Sequence, residues 1–109
     1  EKEFNLLDIS LNLKSKMPDV IFYSKKLDWL FLVESVTTHG PVDSKRKIEL
    51  EEIFASTNKE LIFVSAFPDR QMMNKFLSEI SWESEVWIAD NPSHMIHFNG
   101  DKFLGPFKH

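Results

Sequence analysis

WLFLVESV, residues 29–36, decides how the chain is read. It is apolar apart from Glu34 and Ser35, and a near-continuous apolar run of this length suits a central strand covered on both faces. Upstream, VIFYS at residues 20–24 makes a second strand, and the connection KKLD is short enough for the two to form a hairpin. Downstream, TTHGPVD at 37–43 carries Gly40 and Pro41 and reads as a loop. Asp43 or Ser44 then caps a helix running to about Ala55, with Leu50, Ile53 and Phe54 as its buried stripe.

Further along, ELIFVSAF at 60–67 is another apolar strand. Pro68-Asp69 opens a second helix whose Met72, Met73, Phe76, Leu77 and Ile80 recur at helical spacing, a core stripe rather than a cofactor site. EVWIAD at 85–90 and HMIHF at 94–98 read as two more strands before a loop-like tail. FNLLDISLNL at 4–13 alternates imperfectly and is read as a strand. The order of elements predicts a mixed sheet with helices packed on it, an α/β or α+β domain.

Composition agrees with one globular domain over residues 1–109, with 42% apolar and 28% charged residues and no repeat or low-complexity stretch. A chain of this size buries roughly 60–70% of its unfolded surface, so a metal would serve function rather than folding. Thirteen basic against seventeen acidic residues give a net charge of −4, which counts against a dedicated polyanion-coating protein without excluding nucleic acid. The absence of cysteine removes disulfide frameworks, thiolate zinc sites and thiol nucleophiles together. The longest apolar runs, residues 20–23 and 29–33, are too short to span a membrane, and the expectation is a cytoplasmic protein. The chain opens on Glu1 and closes on Lys108-His109, which reads as part of a longer protein.

Glu34 is the sharpest anomaly. Period-2 geometry puts it on the same face of its strand as Leu30, Leu32 and Val36. An unpaired buried charge costs several kcal/mol, so this carboxylate must face a cleft, pair with a cation, take up a proton or bind a metal. Asp19 stands at the mouth of the neighbouring strand and shares that cleft if the hairpin forms. Two carboxylates on adjacent strands suit Mg²⁺, which takes one or two such ligands with water and substrate phosphate. The alternative is that Asp19 caps a turn and Glu34 pairs with a lysine.

The helix after the loop carries its charges the wrong way round. Lys45, Arg46 and Lys47 crowd its first turn and Glu49, Glu51 and Glu52 follow, against the helix dipole and in the weaker i,i+4 orientation for Lys45–Glu49 and Lys47–Glu51. Local rules are most often broken where function requires it, and a basic helix start can hold a phosphate; a solvated charged face is the alternative. His39, in the loop after the acidic strand, is a candidate base or phosphate contact. His94 and His97, three apart in a strand, point to opposite faces and make a poor metal pair. Pro68-Asp69 with Glu85 repeats the acidic pattern, but a helix separates them, so the repeat is a decoy.

Taken together, MPDVIFY, WLFLVESVTTHGPVDSKRKIELEEIF, FVSAFPDR and WESEVWIADNPSHMIHFNGDKFLGPF make the chain resemble the catalytic domain of the BsuBI/PstI family of type II restriction endonucleases over residues 17–107. TTHGPVDSKR and IHFNGDKFLGP are the most specific of these segments. The resemblance implies the PD-(D/E)XK nuclease fold and Mg²⁺-dependent cleavage of both strands of double-stranded DNA at a short palindrome, CTGCAG in this family. It also implies a homodimer and an N-terminal DNA-recognition region beyond this chain. Pro18-Asp19 matches the first acidic element and Glu34 the second, and the implied metal ligands are Asp19, Glu34 and the Ser35 carbonyl. The third element departs: Val36 stands where the wider superfamily has lysine. Either the cation comes from Lys45 or Arg46, with His39 in reserve, or the chain is a catalytically inactive DNA-binding or assembly domain on the same scaffold.

Overall fold

The computed structural model describes residues 17–37 and 40–100. The proposed strand at residues 4–13, His39 and the tail after Gly100 lie outside them. Five strands form one mixed sheet in the order β1-β2-β3-β4-β5. They are β1 (Val20–Ser24), β2 (Trp29–Ser35), β3 (Glu60–Phe67), β4 (Ser84–Ile88) and β5 (Met95–Phe98), with helix α1 (Ser44–Ile53) between β2 and β3 and helix α2 (Arg70–Lys75) between β3 and β4. This is the α+β arrangement that the element order predicts.

The pairing follows from the connections. KKLD closes β1 and β2 as an antiparallel hairpin, with Val20 against Val33 and Ser24 against Trp29. Asp28 ends that turn at φ +61°, a left-handed conformation that aspartate tolerates, and its amide donates to the Ser24 carbonyl at 2.7 Å. Parallel neighbours need a long crossover, and α1 supplies it between β2 and β3, as the segment containing α2 does between β3 and β4. Short polar turns return β4 antiparallel into β5.

Both helices pack on one face of the sheet. Leu50 and Ile53 of α1, with Phe54, meet Leu30, Leu32 and Phe63, and Val42 closes the cluster from the loop. Around α2, Met72, Met73 and Phe76 cover Val36, Phe67, Val86 and Ile88. Burial of these side chains at about 1.5–3 kcal/mol each dominates the stabilisation of the domain.

Some expectations change in detail. First, β2 alternates instead of being covered on both faces. Leu30, Leu32 and Glu34 are buried against the helices, while Trp29, Phe31 and Val33 are half-buried on the other face; β3, in mid-sheet, is the more continuously buried strand. Second, the helix expected to reach Ala55 ends at Ile53, and Phe54 takes a non-helical conformation whose amide still bonds the Leu50 carbonyl. Third, the stripe from Met72 to Ile80 is not one helix. α2 stops at Lys75, a single 3-10 turn covers Leu77–Glu79, and Ile80 enters the core in extended backbone while Leu77 stays exposed. His94 lies before β5, not in it.

Candidate metal-dependent nuclease site

Glu34 sits near the end of β2, only 5% exposed, where its neighbours on the same face are core leucines. The β1–β2 ladder ends at Val20–Val33, and Asp19 and Glu34 are the next residues on the two strands' chains. Asp19 lies just before β1, exposed, and one of its oxygens, Oδ2, accepts the Ser35 amide at 2.7 Å. The first acid is thus fixed to the backbone one residue beyond the second.

The burial of Glu34 is offset by Arg46. Nε and Nη2 of that guanidinium both donate to Glu34 Oε2, at 2.9 and 2.6 Å, and Nη1 reaches Glu49 Oε1 at 3.2 Å. Glu34 Oε1 and Asp19 Oδ1 accept no hydrogen bond from the described residues. Each acid therefore offers one oxygen held by the protein and one that is not. That donor set fits Mg²⁺, whose remaining positions are ordinarily filled by water and substrate oxygen. No cluster of three or more His, Asp or Glu side chains with metal-binding geometry occurs among the described residues.

The basic turn is reached through local packing. The Asp43 side chain accepts the Arg46 amide at 2.8 Å and caps α1. Just before it, the Val42 amide donates to the buried Ser65 hydroxyl at 2.9 Å, and Val42 O accepts the Ser81 amide. Ser65 is the register partner of Glu34 on β3. The loop is thus tied to the sheet beside the acid, and one turn into the helix Arg46 falls over it. Lys47 turns the other way, donating to the Trp82 carbonyl at 3.4 Å with its ammonium 5.5 Å from the Phe63 ring centre. Lys45 is exposed and pairs with neither acid. The pairs Lys45–Glu49 and Lys47–Glu51 expected from helical spacing do not form; Glu49 pairs with Arg46 three residues earlier.

Val36 is fully buried with Phe67, Ile80 and Val86. A lysine there would sit in hydrocarbon, and the only side-chain cation paired with Glu34 among the described residues comes from α1. Spacing reads Glu49 as an i,i+4 partner of Lys45, whereas it pairs with Arg46; nothing local marks Ser65, whose importance comes from the parallel register alone.

A second polar cluster lies on the opposite face of the sheet. His97 Nδ1 bonds Glu85 Oε2 at 2.6 Å, and its Nε2 lies 3.9 Å from Glu83 Oε1. Burial raises the Glu85 carboxyl above the ordinary 4.5, with the Glu83 charge adding to the rise, while the hydrogen bond to His97 and its charge oppose it. This cluster joins β4 to β5 and takes no part in the Asp19–Glu34 arrangement.

The mixed five-stranded sheet with its two helices on one face matches the fold of a restriction endonuclease. Residues 1–101 match the BsuBI/PstI restriction endonuclease domain, and the chain belongs to that family. It is 49% identical over 108 residues to the type II restriction enzyme BsuBI of Bacillus subtilis, covering 99% of this chain and 34% of that protein. It is 36% identical over 87 residues to the type II restriction enzyme AplI of Arthrospira platensis, covering 80% of this chain and 27% of that one. The solved structure of the SdaI restriction endonuclease matches with a TM-score of 0.75 at 44% identity, over 87% of this chain and 30% of that chain. The chain thus spans about a third of the length of these relatives. Among the described residues no helix is long and apolar enough to cross a membrane.

Proposed function

We propose that this chain supplies the catalytic site of a type II restriction endonuclease that hydrolyses phosphodiester bonds of duplex DNA with Mg²⁺. The observation that carries the reading is that Asp19 and Glu34 stand next to each other past the end of the β1–β2 ladder, each with one carboxylate oxygen engaged by the protein and the other accepting no hydrogen bond from the described residues. Asp19, Glu34 and the Ser35 carbonyl would hold the ion. When bound, it lowers the pKa of a coordinated water and offsets charge on the phosphate. Asp19 and Glu34 keep the ligand oxygens in place through the Ser35 amide and Arg46 respectively. Arg46 takes the part of the lysine absent at Val36, holding positive charge beside the carboxylate where negative charge develops on the phosphate. Such preorganised contacts contribute a few kcal/mol, on the order of 10²–10³ in rate. Lys45, exposed on the same turn, fits a contact to the DNA backbone, and His39 is the reserve cation.

The family resemblance extends the proposal to a short palindrome of the CTGCAG type. A two-fold dimer is the economical arrangement for cutting both strands of such a site. DNA recognition would rest on a further N-terminal region, in keeping with relatives about three times as long. Incubation of the full-length protein with supercoiled plasmid and Mg²⁺ tests this. Cleavage abolished by Asp19→Ala and by Glu34→Ala is expected.

The second reading, an inactive DNA-binding or assembly domain in the PD-(D/E)XK superfamily, draws on Val36 and on the engagement of Glu34 by Arg46. It predicts duplex binding without nicking, indifferent to either substitution.

A further inference from the structure

Arg46 presents an unusual fork. The Nε and Nη2 donors of an arginine are spaced to meet the two oxygens of a carboxylate, one each. Here both converge on Oε2 of Glu34, and Oε1 accepts no hydrogen bond from the described residues. The third arm explains the offset, because Nη1 is drawn 3.2 Å from Glu49 Oε1 one helical turn further on. The Arg46 side chain is 12% exposed and the Glu49 side chain 45%, so the pull comes from the solvent side of the site.

We infer that Glu49 is a positioning residue: by holding Nη1 it keeps Arg46 off Glu34 Oε1 and so preserves an oxygen for the divalent ion. The inference rests on the metal-nuclease reading above. Without Glu49 the guanidinium rotates into the ordinary two-oxygen fork, and the ion must compete with it for Glu34. Glu49 touches neither ion nor substrate; it acts wholly through Arg46.

The test compares Glu49→Ala with the wild type in the full-length protein, by titration with Mn²⁺ alone and by the Arg46 Nε–H resonance of the metal-free protein. Glu49 is half-exposed, so its loss leaves the fold intact. Glu49→Ala is expected to weaken Mn²⁺ about tenfold, the lower end of what losing a ligand's supporting partner costs. It also shifts the Arg46 resonance before any metal is added. Glu49→Gln keeps an oxygen for Nη1 and is expected to stay within about threefold of wild type, since a neutral bond holds the same geometry more weakly. In an Arg46→Met background the Glu49 substitution has no further effect on Mn²⁺.

Unchanged Mn²⁺ affinity and an unmoved resonance in Glu49→Ala would overturn the inference while leaving the nuclease reading standing. Failure of the wild type to bind Mn²⁺ at all overturns the metal reading and this inference with it.

Discussion

Arg46 and Glu34 form a side-chain pair in which two nitrogens of the guanidinium share a single carboxylate oxygen, at 2.9 and 2.6 Å. Both side chains are nearly enclosed, at 12% and 7% exposure, so the pair lies in a medium where an unmatched charge is expensive. Removing one partner is therefore worse than removing both. Arg46→Ala is expected to destabilise the domain by about 3–5 kcal/mol, whereas the apolar replacement Glu34→Leu with Arg46→Met falls within roughly 1 kcal/mol of wild type or above it. Urea midpoints at constant slope measure both. A double variant as unstable as Arg46→Ala alone would show that the carboxylate is not the group left stranded.

Lys45 and Arg46 are neighbours in sequence and opposite in surroundings. Lys45 is exposed, so Lys45→Ala should leave stability within about 0.5 kcal/mol. It should also leave the turnover of plasmid cleavage within a few-fold, while lowering the salt slope of DNA binding by about one unit. Arg46→Lys keeps the charge but cannot reproduce the fork, and is expected to reduce turnover on the order of a hundredfold. Equal losses from the two substitutions in a single-turnover cleavage assay would refute the division of labour between them.

The contrast bears on what a single sequence discloses. The strand at residues 60–67 is readable to the residue, because an apolar run opened by Glu60, interrupted only by Ser65 and closed by Pro68 is short and bounded by turn signals. The alternation within β2 was hidden, since Trp29, Phe31 and Val33 look as buried as Leu30 and Leu32 until the helices are known to pack on one side only. The stripe from Met72 to Ile80 satisfied helical spacing, yet the backbone leaves the helix at Phe76 and reaches the same core by a 3-10 turn. At the site, Glu34 announced itself as a charge among leucines, and the inverted charges of α1 drew attention to Arg46. Which of three consecutive basic residues turned inward depended on the start of α1, fixed by Asp43 and by the Ser65 anchor on β3. Contacts of that kind are set by register between distant segments and leave no local trace.

Ser65 supplies that anchor with a buried hydroxyl, accepting the Val42 amide at 2.9 Å directly across from Glu34. Ser65→Ala strands a buried N–H and should cost about 1–3 kcal/mol. Because Val42 precedes the helix cap, the loss also loosens the placement of Arg46. Amide exchange at Val42 should accelerate, and so should exchange at Arg46, whose amide is capped by Asp43. Faster exchange confined to Val42 would mean that the cap holds the helix start without help from the sheet.

Glu85 sets a pH dependence of opposite sign to that of an ordinary paired carboxylate. Burial raises its carboxyl above 4.5 despite the hydrogen bond from His97, so the folded protein binds this proton more tightly than the unfolded chain does. Between the unfolded and folded values the native state carries more protons, and stability falls as pH rises through that window. The contribution of Glu85 is thus most favourable below about 4.5 and is lost as the folded carboxyl ionises. Glu85→Gln cannot ionise and removes the slope. The stability of wild type minus that of Glu85→Gln, from urea midpoints between pH 4 and 7 and read relative to that 4.5 reference, is expected to decline with pH. A difference that rises with pH would mean that the bond between Glu85 Oε2 and His97 Nδ1, 2.6 Å long, outweighs the desolvation of the carboxylate.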